Sequence, residues 1–304
     1  MVSSAPRQST PALDAAALAL LAMVIGAAAL GLSPIFVRLA EVGPFTSAFW
    51  RVAIALPALW VWAALEPPTE TAPPDASARA SVVAAGLLFA GDLTFWHLAI
   101  MNTSVANATF LATLAPVWVV LGSGLFLGEA VERKVFAGLA LCLAGAAALI
   151  GDTWSVSPEH IDGDAYGLVT SFFFGAYFLA VRRARRAYGS GRTMFLSTFV
   201  TAAVLLGEAA LLEQQMWPVT LAGVAALVGL ALVSHAGGQG LIAFALGHLP
   251  AAFSSLVIFL EAIAAACFGW IILGESVGAI QIAGAIAIFL GILIARPKRA
   301  VPLA

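Results

Sequence analysis

Apolar residues run almost without interruption for about twenty positions at a time, the length that spans a bilayer as a helix. Short clusters of charged and turn-forming residues divide ten such runs, at 15–38, 46–65, 80–99, 105–127, 134–151, 165–182, 193–212, 219–246, 251–273 and 276–295. They are rich in Ala and Leu and lack the alternation over about ten residues that a membrane strand needs. The pattern predicts an all-α integral membrane fold of ten transmembrane helices. Arg7 precedes the first run, as in a signal peptide, but an apolar stretch from about Ala15 to Val37 is too long for one and is read as the first helix.

Composition excludes the alternative of a soluble globule. The 304 residues are 62% hydrophobic and 10% charged, with a mean hydropathy of +1.01. So few charges cannot cover a soluble surface, whereas a bilayer accepts an apolar exterior. Ten crossings use the whole length and leave nothing for a soluble domain. A net charge of −2 gives no polycation for nucleic acid. Cys142 and Cys267 lie in apolar runs and read as small core residues, with no metal-ligand spacing.

Where the charges sit is more informative than their sum. With ten crossings and a cytoplasmic N-terminus, twelve of the fourteen Lys and Arg residues fall in cytoplasmic segments, leaving Arg38 and Arg51 outside. Both termini are therefore expected in the cytoplasm of a multi-pass cell (inner) membrane protein. The cluster from Arg182 to Arg192 is read as a cytoplasmic anchor at the lipid headgroups, the other reading being a site for an anionic substrate.

Sliding the chain along itself by 146 residues superposes Leu127-Gly128-Glu129 on Leu273-Gly274-Glu275, Ala137-Gly138 on Ala283-Gly284, and Gly145 on Gly291. Two copies are implied, at 1–151 and 152–304. Each holds five helices, an odd number, so the second copy enters the membrane from the opposite side. Inverted repeats are characteristic of secondary transporters, because an in-plane two-fold axis supplies two states of similar energy open to opposite sides.

The stretch Phe95 to Val131, FWHLAIMNTSVANATFLATLAPVWVVLGSGLFLGEAV, resembles the ten-helix EamA-type branch of the drug/metabolite transporter superfamily. Its counterpart ends in FLEAIAAACFGWIILGESVG, and SAFWRVAIALPAL, with Arg51, is similar to the family's second helix. Ala262 stands where the family pattern has Pro, so the helix kink expected there loses its usual cause. Within the branch the chain looks most like the YddG-type exporters of aromatic and other amino acids. The resemblance implies export of small metabolites by alternating access.

Ionisable groups at membrane depth cost about 2.5–3.5 kcal/mol on insertion scales and so require a partner, a cavity or a role. Glu261 lies midway along the ninth helix, roughly 15 Å from its end. A buried acid that gains and loses a proton is one way to couple transport to protons; an interhelical hydrogen bond is the alternative. His235 and Gln239 share a face of the eighth helix beside Gly237, Gly238 and Gly240, and suit a cavity lining.

Asp92 and Trp96 share a face of the third helix, where the acid can take a substrate ammonium and the ring can stack. Trp96 and His97 equally fit an interfacial aromatic belt. Asn107 begins the fourth helix, and Pro116 interrupts it as a hinge or a static kink. Tyr177, Ser33 beside Pro34, Ser254 and Ser255 add hydrogen-bonding groups. Arg51 sits near the positive end of its helix and needs an anion; an internal pair with Glu41 or Asp92 is weighed ahead of a substrate carboxylate. Glu129 and Glu275 are read as helix-start determinants of the last helix of each copy.

The leading function is thus a secondary transporter exporting aromatic and other apolar amino acids, with protons as a candidate coupling ion and no cofactor. Export of a sugar, nucleoside or cationic drug is the alternative. An intramembrane enzyme is a third class, but GxSxG and HExxH are absent, as is the GxxxxGK[ST] loop of ATP-driven pumps. A channel would need a continuous polar pore, which these runs do not supply.

Overall fold

The computed structural model describes residues 15–67, 75–103, 105–150, 161–273 and 277–297, and all regular structure among them is helical. The spans are α1 (Ala15–Leu39), α2 (Pro44–Leu65), α3 (Ala76–Asn102), α4 (105–127), α5 (Arg133–Ile150), α6 (Ile161–Ala184), α7 (Ser190–Leu212), α8 (Leu221–Leu246), α9 (251–273) and α10 (Ala279–Ala295). Nine of these ten are long and apolar enough to cross a bilayer; α10, with 17 residues, is shorter. Large apolar side chains such as Leu21, Trp60, Leu121, Phe199 and Ile286 face outward. That surface is stable only where the solvent is itself hydrocarbon. Helix α3 starts a turn earlier than its apolar run, because Asp75 caps it by accepting from the Ala78 N–H at 2.7 Å. Cys142 is buried, with its thiol 3.6 Å from the Ile288 carbonyl, whereas Cys267 faces outward and is not a core residue.

The packing pairs helices across the 146-residue shift. Helix α1 packs on α8 as α3 packs on α6, while α2 packs on α7 and α5 on α10. A methyl group on Gly138 would lie 2.5 Å from the Gly291 carbonyl oxygen, and one on Gly145 would lie 2.5 Å from that of Gly284. The numbering runs in opposite directions, so α5 and α10 are antiparallel, and the shift carries this contact onto itself. Small residues permit the approach.

The α2–α7 pair is tied by reciprocal caps. Glu213, just beyond α7, accepts from the backbone N–H groups of Phe45 (2.7 Å) and Thr46 (3.1 Å) at the start of α2. Glu66, just beyond α2, accepts from those of Gly191 and Arg192, each at 3.2 Å, at the start of α7. Each carboxylate meets the positive end of the other helix, which also fixes the two as antiparallel.

Several spans are interrupted. Helix α1 breaks at Gly31–Leu32, α2 at Ile54, α4 at Thr113–Leu114 and α9 at Ile258–Phe259, and α8 is π-helical over Leu230–Gln239. Pro116 accounts for the break in α4, since it supplies no N–H to the Ala112 carbonyl. Helix α9 breaks at the equivalent place without a proline. Its backbone shifts there to three-residue hydrogen bonds, Phe259 N to Leu256 O at 3.2 Å and Glu261 N to Ile258 O at 2.8 Å. The missing proline therefore does not remove the break.

Arg182, in the arginine cluster, is not a headgroup anchor, whereas Arg183, Arg186 and Arg192 are exposed. Buried Arg182 donates to Glu129 at 2.6 Å and to the Leu246 carbonyl at 2.6 Å. Arg183 donates to the Phe126 carbonyl, Arg185 to that of Ala243 and Arg186 to that of Leu127. These guanidinium groups satisfy carbonyls left over at the ends of α4 and α8. Glu129 in turn accepts from the Ala251 N–H at 2.9 Å, so the helix start it caps is that of α9 rather than α5.

Candidate functional site

A cavity of about 120 Å³ lies where the interrupted helices meet. One stripe of α3, formed by Phe89, Asp92, Leu93 and Trp96, makes one wall, because residues three and four apart share a helix face. Ser33 and Pro34 from the break in α1 and Arg51 from α2 adjoin it. The lining is completed by Ala112, Thr113 and Pro116 of α4, Thr170 and Phe174 of α6, Gln239 of α8, and Ile258, Phe259 and Glu261 of α9. Three helix breaks thus open onto one cavity, the setting in which irregular backbone is tolerated at membrane depth. Glu261 lies in the first turn of the second half of α9, where the helix dipole favours its negative charge.

The lining combines one cation and two acids. Arg51 is buried, interacts electrostatically with both Asp92 and Glu261, and holds its guanidinium carbon 5.7 Å from the centre of the Phe89 ring. The expected ion pair is not formed. Ion pairs within 4 Å among the described residues are Lys134–Glu132 and Arg182–Glu129. Glu41 is engaged elsewhere, accepting from the Thr220 N–H at 2.9 Å and hydroxyl at 2.7 Å. Those hydrogen bonds hold the exposed Glu41 carboxyl below its ordinary pKa.

Four buried polar atoms of the lining have no partner among the described residues: Arg51 Nε, Ser33 Oγ, Thr170 Oγ1 and Gln239 Oε1. Orphaned polar groups are rare in protein interiors, and their convergence on one cavity marks it as a place for a polar solute. Among the described residues no three His, Cys, Asp or Glu side chains gather as metal ligands.

Of the residues singled out from the sequence, Asp92, Trp96, Gln239, Glu261, Ser33, Pro34, Arg51 and Pro116 meet at this wall. Two others stand behind it. His235 bonds Thr198 at 2.9 Å and stacks on Phe89 at 5.4 Å, and Tyr177 packs on Phe89 at 4.7 Å. His97 is buried near Phe45, with Nδ1 2.5 Å from the Leu93 carbonyl, and Ser254 is buried in α9; neither reaches the cavity. Asn107 falls in the first turn of α4, its side chain outside the described residues, as is Glu275. Phe89, Phe174, Thr170 and Phe259 were not anticipated. Phe89 was within reach, since it precedes Asp92 by three residues on the same face.

The model of the EamA-like transporter family matches residues 17–151 and 162–296. The chain belongs to this family. It is therefore a multi-pass transporter of the cell membrane and not an enzyme. Among the relatives of this EamA-family chain is the pseudopaline exporter CntI of Pseudomonas aeruginosa, 26% identical over 215 residues that cover 70% of this chain and 74% of that one. An uncharacterized transporter of Archaeoglobus fulgidus is 28% identical over 276 residues, covering 87% and 92%. A solved crystal structure shares the fold, with a TM-score of 0.73 at 19% identity over 91% of this chain and 96% of the other. The named relative exports pseudopaline, so the likeness to aromatic amino-acid exporters rests on the sequence motifs alone.

Proposed function

We propose that this EamA-family transporter exports small amphipathic metabolites across the cell membrane by alternating access, with aromatic and other apolar amino acids as substrates. The observation that carries this reading is the cavity in which Asp92, Glu261 and Arg51 stand among Phe89, Trp96 and Phe174. Apolar walls with a few placed polar groups are what small-molecule sites use. Asp92 takes the substrate ammonium, Trp96 packs on its apolar side chain, and Gln239 offers its free carbonyl.

Two inverted five-helix repeats, at 1–151 and 152–304, exchange inward- and outward-open forms around this site, with both termini cytoplasmic. The self-matching glycine contact of α5 with α10 and the reciprocal caps of α2 and α7 support the inversion. The breaks at Pro116 and Phe259 serve as hinges, and Glu261 is the candidate proton site.

Purified protein in liposomes, assayed for counterflow of labelled amino acids, sugars, nucleosides and a cationic drug, tests the assignment. Exchange of phenylalanine or tryptophan accelerated by substrate on the far side is expected. Exchange of another class with no amino acid exchanged would overturn the substrate and favour a different metabolite, a second reading that the likeness to a pseudopaline exporter supports.

A further inference from the structure

Arg51 stands in a place that disfavours a cation. It lies in the last turn of the first half-helix of α2 and is only 7% exposed, so the charge has lost most of its hydration. Its guanidinium has five N–H donors, and the buried Nε–H has no hydrogen-bond partner among the described residues. The Phe89 ring beneath it, at 5.7 Å, attracts the charge but accepts no in-plane N–H. The two acids that could neutralise it, Asp92 and Glu261, line the same cavity yet form no ion pair with it. Glu41, the remaining acid weighed from the sequence, is held by Thr220. A planar guanidinium fork with an unpartnered Nε–H, lining a cavity, matches the two oxygens of a carboxylate.

We infer that Arg51 is the carboxylate anchor of the site, so that the cavity selects solutes carrying both a carboxylate and an ammonium group. This rests on the transport reading above and sharpens it, since Arg51 and Asp92 then bind opposite ends of one zwitterion. The carboxylate supplies the in-plane acceptors that Arg51 lacks, and the ammonium supplies the cation that Asp92 lacks. A solute with only one of the two groups leaves one buried charge unmatched, which is the usual basis for rejecting an analogue. The repeat gives no second anchor, because the position equivalent to Arg51 is Ser197, which bonds within its own helix to the carbonyl of Thr193 at 2.8 Å. The site therefore holds its substrate in one orientation.

The test uses the full chain in liposomes and three labelled solutes: phenylalanine, phenethylamine, which lacks the carboxylate, and 3-phenylpropionate, which lacks the ammonium. The wild type is expected to exchange phenylalanine about ten- to a hundredfold faster than either analogue. In Arg51→Gln, phenylalanine loses its advantage and the ratio of phenylalanine to phenethylamine exchange falls to about one. An unchanged preference for phenylalanine in Arg51→Gln, or equal loss of both solutes, would overturn the assignment.

A second measurement needs no variant. The three compounds are compared for the thermal stabilisation they give the wild type in detergent. Phenylalanine should stabilise most, and equal shifts from phenylalanine and phenethylamine would sink the anchor. Failure of the transport reading looks different: the wild type then exchanges no amino acid while another solute class is exchanged.

Discussion

Arg182 and Glu129 form a buried ion pair at 2.6 Å, with side chains 2% and 13% exposed, and this pair joins the ends of four helices. Glu129 follows α4 and caps α9, while Arg182 closes α6 and bonds the last carbonyl of α8. Removing one partner of a buried pair costs about 3–5 kcal/mol, because the other charge is left unmatched. Glu129→Gln and Arg182→Met should each lower the thermal midpoint in detergent, and the double variant should lose less than the two losses added. Strict additivity would show that the two residues act independently.

The same pair lies at the opposite ends of the helices from Arg51 and Ser33, where it holds the ends of α4, α6, α8 and α9 together. Cysteines placed beside it are expected to react faster with a water-soluble reagent in Glu129→Gln than in the parent. Equal labelling would separate the pair from gating.

Glu261 separates binding from coupling. It sits at the start of a half-helix, facing a cavity that also holds Arg51 and Asp92. Glu261→Gln keeps the shape and removes the titration. Counterflow should persist within about threefold, whereas accumulation driven by a pH gradient should vanish. Retained gradient-driven accumulation would exclude Glu261 as the proton site.

Glycine positions differ sharply in what they tolerate. At Gly145 a side chain would meet the Gly284 carbonyl at 2.5 Å and Ile288 at 2.9 Å, whereas Gly207 has nothing within 4 Å. Gly145→Val should force α5 from α10 and cost about 1–3 kcal/mol or more, the usual range for overpacking. Gly207→Ala should be neutral or raise stability by up to about 1 kcal/mol through helix propensity. Thermal unfolding of the two variants side by side checks both directions.

Glu41 sets a pH dependence outside the membrane spans. It adopts a left-handed backbone conformation, φ 57°, and its carboxylate accepts two hydrogen bonds from Thr220. These hold its pKa below the ordinary value in the folded state, so its stabilisation is complete above the unfolded pKa and fades as pH falls through the lower, folded value. The stability difference between wild type and Glu41→Gln should be present at pH 7 and shrink as the medium is acidified below about 4.5. A difference independent of pH would point to packing instead.

The spans were legible in the sequence because a bilayer sorts side chains by a single property, and a continuous apolar run of sufficient length has few other uses. The glycine contacts could also be located, since Gly138, Gly145, Gly284 and Gly291 are all carried by the repeat. Polar pairings were harder. Whether a guanidinium reaches a lipid phosphate or a helix carbonyl depends on which helix end lies beside it, and no count of Lys and Arg contains that. Arg182 was misplaced for this reason, and Arg51 was assigned partners that its neighbours do not offer. The break in α9 was obscured for a related reason: proline announces a kink, but a backbone can take three-residue hydrogen bonds without one.

The caps exchanged by α2 and α7 impose an order on synthesis. The start of α2 receives its carboxylate from Glu213, a residue made about 170 positions later, so the first helix hairpin enters the bilayer with two N–H groups that its own half does not satisfy. Until α7 is inserted alongside, those N–H groups have water rather than Glu213 as a partner. Expressed without its carboxyl-terminal half it should be a substrate for membrane quality control, and supplying the missing half as a separate chain should rescue it.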